Sequence, residues 1–334
     1  MTPLDTHAHV IVPELLREAD PDEQWRPVLS RDSGRPVIEF AGRRIANMIN
    51  ECVDLDALLA TQERLGIKRV VLCPWVPLLF YDVELPESVR RCRVQNDGLA
   101  RMRSERPERV GVLGAVPLQD PDAAASELRE LMSSGLFAGI EITASIAGTY
   151  LGDARFEPLW DAAEDTGALV FVHPTTRGFN EGVFQERYLW NLVGNPMETT
   201  IAAAHMVLNG TMERHPGLHV LLAHGGGAIL ALRGRLRHGH EAIAPAGGAL
   251  KEPADASIGR FLFDTVTHDA EVLSSLVETV GADRVLLGSD YPFDMADPDP
   301  VGTVRASGLG EADEQAVLYG NAERLLGQAI EAPG

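Results

Sequence analysis

The chain has 334 residues, 45% of them hydrophobic and 23% charged, with a formal net charge of -20 and a mean hydropathy of -0.04. This composition is typical of a globular protein, and the length fits one large domain, which we assign to residues 1–334. The negative charge excludes nonspecific binding to nucleic-acid phosphates, and no apolar run reaches the roughly 20 residues that cross a bilayer, so we expect neither nucleic-acid nor membrane partners.

The start of the chain lacks the basic and then apolar pattern of a secretion signal, and we therefore predict a cytoplasmic location. From there, short apolar or β-branched runs alternate with amphipathic segments, which predicts repeated βα units and a parallel sheet. Eight such strands close most simply into a (β/α)8 TIM barrel. The predicted strands are Pro3 to His7, Lys68 to Cys73, Val110 to Val116, Phe137 to Ile142, Ala168 to Val172, His219 to Ala223, Arg260 to Thr265 and Arg284 to Gly288.

The helices between these strands are marked by helix-starting residues before the apolar periodicity and by glycine after it. The clearest ones are predicted from Pro121 to Leu131, from Phe156 to Asp165 and from Ala270 to Val280. The tail from Glu311 to Ile330 also has helical periodicity, and we expect it to pack outside the barrel.

Two stretches do not fit the βα repeat: Pro13 to Asn50 after the first strand, and Thr175 to Pro196 after the fifth. Each contains several glycine, proline or aromatic residues, and each follows the carboxyl end of a strand. Because barrel active sites are built at that end, we interpret both as insertions that cover the substrate over the barrel mouth.

The first candidate site residues are His7 and His9, close to the end of the first predicted strand. Residues two apart on a strand point to the same side, so the two imidazoles can converge on one ion. Taken alone, the pair could equally be two ordinary histidines. His173 at the end of the fifth strand and Asp290 at the end of the eighth bring further ligand types to the same rim.

Imidazole nitrogens and one carboxylate oxygen suit zinc and other divalent first-row metals, and they leave a coordination position for water or substrate. We therefore predict a catalytic metal site formed by His7, His9, His173 and Asp290. The alternative is a structural histidine at position 173 and a helix N-cap at position 290.

His224 ends the sixth strand and precedes three glycines, which allow a tight backbone turn beside a ligand before the next helix. Imidazole ionises close to neutral pH, so a histidine near the metal is suited to general base and then general acid catalysis. The competing roles for His224 are a fifth metal ligand and a hydrogen-bond donor to the metal site.

Five segments carry a resemblance to a known family: His7-Ala8-His9, Val116-Pro117-Leu118-Gln119-Asp120, Val172-His173-Pro174, His224-Gly225-Gly226-Gly227 and the block from Asp283 to Phe293. Together they resemble the amidohydrolase superfamily (amidohydrolase-related family 2), and within it the 2-amino-3-carboxymuconate-6-semialdehyde decarboxylases. The resemblance spans nearly the whole chain and implies a barrel of the amidohydrolase type. It also implies that the four predicted ligands bind Zn²⁺ and that His224 activates a metal-bound water.

In those decarboxylases, the resemblance further implies, two arginines hold the carboxylates of the substrate. We choose Arg44 for the one from the insertion after strand one, where the segment does not register cleanly with the family's pattern, and Arg235, 11 positions after His224, stands where the one that reaches across a homodimer interface is expected. A solvated surface charge is the alternative for both arginines. Binuclear amidohydrolases carry a lysine on strand four, whereas this chain has Glu141, so we expect one ion per chain. We assign Glu141 to the substrate-binding residues; contact with the ion, pairing with an arginine and a satisfied carboxylate inside the barrel are the alternatives.

The predicted function is the non-oxidative decarboxylation of a small unsaturated or aromatic carboxylic acid, with His224 and Asp290 as catalytic residues. Metal-bound water gives a proton to His224, and the metal and this base then assist the loss of carbon dioxide. The same groups could instead hydrolyse an amide, a lactone or a carbon–carbon bond, or hydrate a substrate, because fold and ligands do not separate these reactions. A barrel that binds metal without catalysis is the remaining alternative, and a first-row metal other than zinc is compatible with the ligands.

Overall fold

Eight parallel strands follow one another around a barrel in chain order, in a computed structural model that describes residues 2–40, 42–45, 49–175, 184, 186–243 and 249–327. Backbone hydrogen bonds of 2.8 Å, from Thr6 N to Leu287 O and from Asp290 N to His7 O, join the segment that follows the last strand to the first strand. The predicted (β/α)8 TIM barrel is therefore confirmed. The strands are Leu4–Val10, Arg69–Pro74, Val110–Gly114, Gly139–Thr143, Leu169–His173, His219–Leu222, Leu262–Asp264 and Val285–Leu286.

The first strand differs from its predicted range, because it extends beyond His7 to Val10. Its last residues pair with the end of the second strand after a shift in register that follows Asp5. His7 and His9 therefore both belong to a paired strand, which fixes the directions in which their side chains point. The other predicted strands match the observed ones with ends that differ by a few residues.

Helices surround the barrel, and the three that the sequence predicts most clearly are all present. Asp120 accepts a hydrogen bond from Ala123 N at the start of its helix, and Gly167 ends another helix in a left-handed conformation with φ of 67°. The α-helices are Leu55–Arg64, Leu85–Glu105, Pro121–Ser133, Glu157–Thr166, Asn195–Leu208, Thr211–Arg214, Ile229–Ala242, Ala254–Ile258, Ala270–Val280, Pro300–Ala306, Glu311–Gln315 and Asn321–Leu326.

Single turns of 3-10 helix and two turns of π-helix complete the secondary structure. Among the helices that the structure describes, none has the length and apolar character needed to cross a membrane. The cytoplasmic location stays a prediction.

The 3-10 turns are Pro13–Leu15, Asn50–Cys52, Val76–Leu78, Ala154–Phe156, His224–Gly226 and Ala282–Arg284. The π-helical turns are Trp190–Gly194 and Ala316–Gly320, and a small hairpin is formed by Ser145–Ile146 and Thr149–Tyr150.

The insertion after the first strand contains a three-stranded antiparallel sheet formed by Val28–Asp32, Arg35–Phe40 and Arg43–Ile45. Its Phe40 ring meets the Trp75 ring edge to face, with centroids 5.7 Å apart, just beyond the carboxyl end of the second strand. The sheet therefore lies beside the barrel mouth. Positions 41 and 46–48 of this insertion, 176–183 and 185 of the second insertion, and 328–330 of the predicted tail lie outside the described residues.

Buried side chains form a core inside the barrel and a second layer between the strands and the surrounding helices. Leu4, Phe171 and Leu286 belong to the inner core, and Phe156 and Trp160 belong to the outer layer. Because packed side chains fill the barrel interior, a ligand reaches the strand ends only from the mouth.

Candidate active site

Three imidazoles and one carboxylate, all buried, meet at the barrel mouth: His7, His9, His173 and Asp290. One nitrogen or oxygen atom from each lies within 4.8 Å of the corresponding atoms of the others. Asp290 Oδ1 is 3.2 Å from His7 Nε2 and 3.4 Å from His9 Nε2. The structure therefore brings together all four predicted ligands in a group that can hold a metal ion.

The hydrogen bonds of the three rings show which nitrogen of each is free for a metal. His9 and His173 point Nδ1 at backbone carbonyls 2.9 Å away, and His7 points Nδ1 at Asp264 Oδ2 at 2.7 Å. Because these partners only accept hydrogen bonds, each Nδ1 carries a proton, and each Nε2 is the nitrogen that faces the centre and can bind a metal ion once it is deprotonated. His7 Nε2 and His9 Nε2 are only 3.2 Å apart, an arrangement that a cation at the centre would stabilise.

Charge and hydrogen bonding at the centre also fit a cation. Within the described chain, His173 Nε2 and Asp290 Oδ1 are buried without a hydrogen-bond partner. Burial lowers the pKa of His7, but the carboxylates of Asp290 and Asp264 outweigh burial and raise it to about 10. The site thus favours positive charge at its centre, and a set of imidazole and carboxylate donors with a further open position suits a catalytic divalent ion.

His224 stands between this centre and an open cleft. Its Nε2 lies 3.6 Å from Asp290 Oδ2, and its side chain is 14% exposed. The cleft has a volume of about 680 Å³, and His268 and Arg233 also line it. His224 can therefore exchange protons with a molecule at the centre and with solvent.

Asp264 is a site residue that the sequence analysis missed. It is fully buried at the end of the seventh strand, and its carboxylate accepts hydrogen bonds from His7 Nδ1 and from the backbone amides of His224 and Gly225. Burial raises the pKa of Asp264, but the hydrogen bond and charge of His7 outweigh burial and lower it. Its place at a strand end, as for His173 and Asp290, was the signal that could have found it.

Asp5 is a second missed residue, and it holds the turn that carries Asp290. Its carboxylate accepts hydrogen bonds from Gln62 Nε2 (2.8 Å), from Ser289 N (3.1 Å) and from His7 N (3.0 Å). Burial raises the pKa of Asp5 to about 6 although these bonds oppose the rise. The residue ties the first strand to the loop after the last one.

Glu141 is fully buried on the fourth strand, and Oε1 lies 3.7 Å from His9 Nδ1, the nitrogen that faces away from the centre. Neither carboxyl oxygen has a hydrogen-bond partner among the described residues, and burial raises the pKa of Glu141 well above its usual range. It is not part of the group that can hold the ion, and within the described chain no arginine pairs with it. Its assignment to the substrate stays a prediction.

The two predicted arginines lie apart from the centre within one chain. Arg44 is 51% exposed on the insertion sheet, where it forms ion pairs with Asp32 (3.0 Å) and Glu39 (3.5 Å). Arg235 is exposed on helix Ile229–Ala242, and neither arginine lines the cleft beside the centre.

The sequence profile of the amidohydrolase family matches residues 4–328. The chain belongs to the amidohydrolase family. A curated relative of this amidohydrolase, the 2-amino-3-carboxymuconate-6-semialdehyde decarboxylase of Dictyostelium discoideum, is 30% identical over 330 residues, which are 97% of this chain and 91% of the relative. The resemblance inferred from the motifs is therefore confirmed.

Two solved structures share the fold of this amidohydrolase. The 5-carboxyvanillate decarboxylase of Sphingomonas paucimobilis has a TM-score of 0.83 at 24% identity, with 97% of this chain and 98% of that chain covered. A dihydroxybenzoic acid decarboxylase of Polaromonas sp. JS666, with bound manganese and the inhibitor 2-nitroresorcinol, has a TM-score of 0.79 at 19% identity, with 97% and 96% covered. All three similar proteins are named as decarboxylases, which are carbon–carbon lyases.

Proposed function

We propose that this amidohydrolase is a metal-dependent decarboxylase that removes carbon dioxide, without oxidation, from a small unsaturated or aromatic carboxylic acid. The observation that carries the proposal is the position of His224, which contacts the ligand Asp290 and also borders the open cleft. A histidine in that place can deliver a proton to a substrate at the ion and recover one from solvent. The similarity of the chain to the decarboxylases named above supports the same proposal.

The ligand group suits one divalent ion per chain, and we propose Zn²⁺, with the manganese of the Polaromonas structure as the competing choice. When bound, the ion supplies Lewis acidity that draws electron density from oxygen atoms of the substrate. His7, His9 and His173 hold it with rings that are oriented by their Nδ1 hydrogen bonds. Asp290 adds the carboxylate and also contacts His224.

Decarboxylation replaces a carbon–carbon bond by a carbon–hydrogen bond, so the carbon that loses carbon dioxide must receive a proton. We assign this transfer to His224, which donates from Nε2 when it is protonated. The contact of 3.6 Å with Asp290 Oδ2 keeps the ring directed at the centre. Solvent in the cleft then returns a proton to His224 and completes the cycle.

A carboxylate substrate must be held by local positive charge, because the chain as a whole carries a net charge of -20. We propose that Arg44 and Arg235 supply this charge by bidentate hydrogen bonds, and that Arg235 of the partner subunit reaches the site in a homodimer. The exposure of Arg235 in a single chain is compatible with that role. An Arg235→Ala variant should raise KM, whereas Arg237→Ala on the same helix, which removes an ion pair with Asp255, should leave KM unchanged.

Glu141 is proposed to bind the substrate as well. Its two oxygens have no hydrogen-bond partner among the described residues, and a buried carboxyl without partners is costly. A hydroxyl or amino group of the substrate would satisfy them.

The first experiment is a metal assay on the purified protein, followed by incubation with unsaturated and aromatic carboxylic acids while absorbance and released carbon dioxide are recorded. His224→Gln should abolish release of carbon dioxide, because it removes the proton donor and keeps the side-chain size. His268→Gln is the matched control, since His268 lines the same cleft without contacting Asp290 in the described structure.

One ion per chain together with release of carbon dioxide that requires His224 supports the decarboxylase. One ion with a product but no carbon dioxide favours a hydrolase or a hydratase of the same family. A purified protein that binds no metal refutes the proposal.

A further inference from the structure

Asp264 is a fully buried carboxylate that receives four hydrogen bonds. Its Oδ2 accepts from His7 Nδ1 (2.7 Å) and from the backbone amide of His224 (2.9 Å). Its Oδ1 accepts from the backbone amides of Gly225 (2.7 Å) and Val266 (3.1 Å). One side chain therefore contacts both a metal ligand and the turn that carries the proposed proton donor.

The chemistry of these contacts requires an ionised carboxylate at position 264. All four partners are donors, and a carboxylate accepts at both oxygens. An asparagine would keep the size of the side chain, but its NH2 group would replace one of the two carboxylate oxygens and would face the donors that bond to that oxygen. Either the ring of His7 or the amides of the turn would then lose their partner.

The turn needs this support because His224 has φ of 58°, in the left-handed region that a histidine rarely adopts. The two amides that Asp264 holds, those of His224 and Gly225, are the first two of the turn. The carboxylate therefore offsets backbone strain at the residue from which the proton donor projects.

We propose that Asp264 is a positioning residue that fixes the metal ligand His7 and the proton donor His224 relative to one another. The inference rests on the metal site of the proposed function, and it is independent of the substrate and the reaction. A metal ion at His7 Nε2 fixes the position of the ring and so holds its hydrogen bond to Asp264 in place. The same carboxylate is then held more firmly against the turn, so that loading the ion also orders the proton donor.

The first test uses the wild-type protein without substrate and compares metal-free with zinc-loaded samples by hydrogen–deuterium exchange. Loading should slow exchange of the His224 and Gly225 amides by about three- to tenfold, since it holds in place the carboxylate to which these amides donate. The Gly217 amide is a matched control, because it donates to the Glu164 carboxylate at 2.6 Å beyond the other end of the sixth strand. Its exchange should not change.

The second test is Asp264→Asn. This variant should bind Zn²⁺ about 10- to 100-fold more weakly than the wild type, and its cobalt-loaded form should have a different visible spectrum. Leu128→Ala is the control for lost stability, because Leu128 is fully buried on the outer helix Pro121–Ser133. It should keep the wild-type zinc affinity and cobalt spectrum. If Asp264→Asn does not fold, the exchange experiment on the wild-type protein decides the question.

The outcomes separate this inference from the proposed function. The inference is overturned if amide exchange at His224 and Gly225 is the same with and without the metal, or if Asp264→Asn keeps the wild-type zinc affinity and cobalt spectrum. Neither result counts against the proposed decarboxylase function. Slowed exchange in a protein that releases no carbon dioxide supports the inference and counts against the decarboxylase. A wild-type protein that binds no metal refutes both.

Discussion

Gly227 is the position where the glycine turn after the sixth strand depends most directly on the absence of a side chain. Its φ and ψ of 63° and -123° lie in a region that other residues avoid. A Cβ there would lie 2.1 Å from Pro196 O and 2.7 Å from Thr200 Oγ1. Both atoms belong to the start of helix Asn195–Leu208, where they share a hydrogen bond of 2.8 Å.

The cost of Gly227→Ala follows from two effects. The backbone conformation costs about 1–3 kcal/mol for a residue with a Cβ, and the clash with a helix backbone costs roughly 1–3 kcal/mol more. The entropy of unfolding for 334 residues is about 0.7 kcal/mol/K. A loss of about 2–6 kcal/mol should therefore lower Tm by about 3–9 °C, and activity should fall because the turn carries His224.

Thermal unfolding followed by circular dichroism measures this change. Gly234→Ala is the matched control: it lies within helix Ile229–Ala242, and apart from its chain neighbours and its own helix backbone no atom of the described residues lies within 4 Å of the added Cβ. It should raise Tm by about 1 °C, because alanine favours helix over glycine by roughly 0.5–1 kcal/mol. A Gly227→Ala variant whose Tm stays within about 1 °C of the wild type would refute the reasoning.

Three further predictions concern the centre and its supports. When zinc is added to the metal-free protein at a free concentration of about one hundred times Kd, Tm should rise by about 4 °C. His173→Ala should abolish this rise, and an equal rise in that variant would contradict the ligand set. Asp5→Asn, which disturbs the hydrogen bonds from Ser289 and Gln62, should lower the free energy of unfolding by roughly 2–5 kcal/mol in urea titrations. A change under about 0.5 kcal/mol would count against a supporting role for Asp5. Glu141→Gln should raise KM and keep the metal Kd within about twofold, whereas weaker metal binding with unchanged KM would assign Glu141 to the support of His9.

The barrel and the grouping of the four candidate ligands were predictable because both follow from local patterns. Alternation of strand and helix periodicity predicts the barrel, and carboxyl strand ends converge on one rim, so that His173 and Asp290 could be placed beside the first strand from sequence alone. The sheet of the first insertion also had a signal that went unused: Ser33 and Gly34 form a two-residue turn with φ of 52° and 85° between its first two strands.

The hydrogen bonds that support the site were not predictable, because they depend on side-chain directions across strands far apart in sequence. The strand-end position of Asp264 indicates that it lies at the rim, but nothing in its neighbourhood distinguishes an acceptor for His7 from a helix cap. The relation of Glu141 to His9 likewise depends on which ring nitrogen faces outward, and that is decided by the carbonyl of Pro74. Whether Arg235 reaches a site depends on a second subunit, which the sequence of one chain does not describe.

The junction at which the barrel closes has a consequence for how the protein matures. Asp5 and Ser289 are 284 positions apart and share a hydrogen bond, and the ligands straddle the same junction, with His7 on one side and Asp290 on the other. A chain emerging from the ribosome presents both histidines of the first strand long before the aspartate, so the full ligand set exists only once the eighth strand is in place. Contacts over such a long separation form late in folding, so the ion of the proposed function would not serve as an early template for closure. Such an ion would then find its full set of ligands only in molecules that have finished folding.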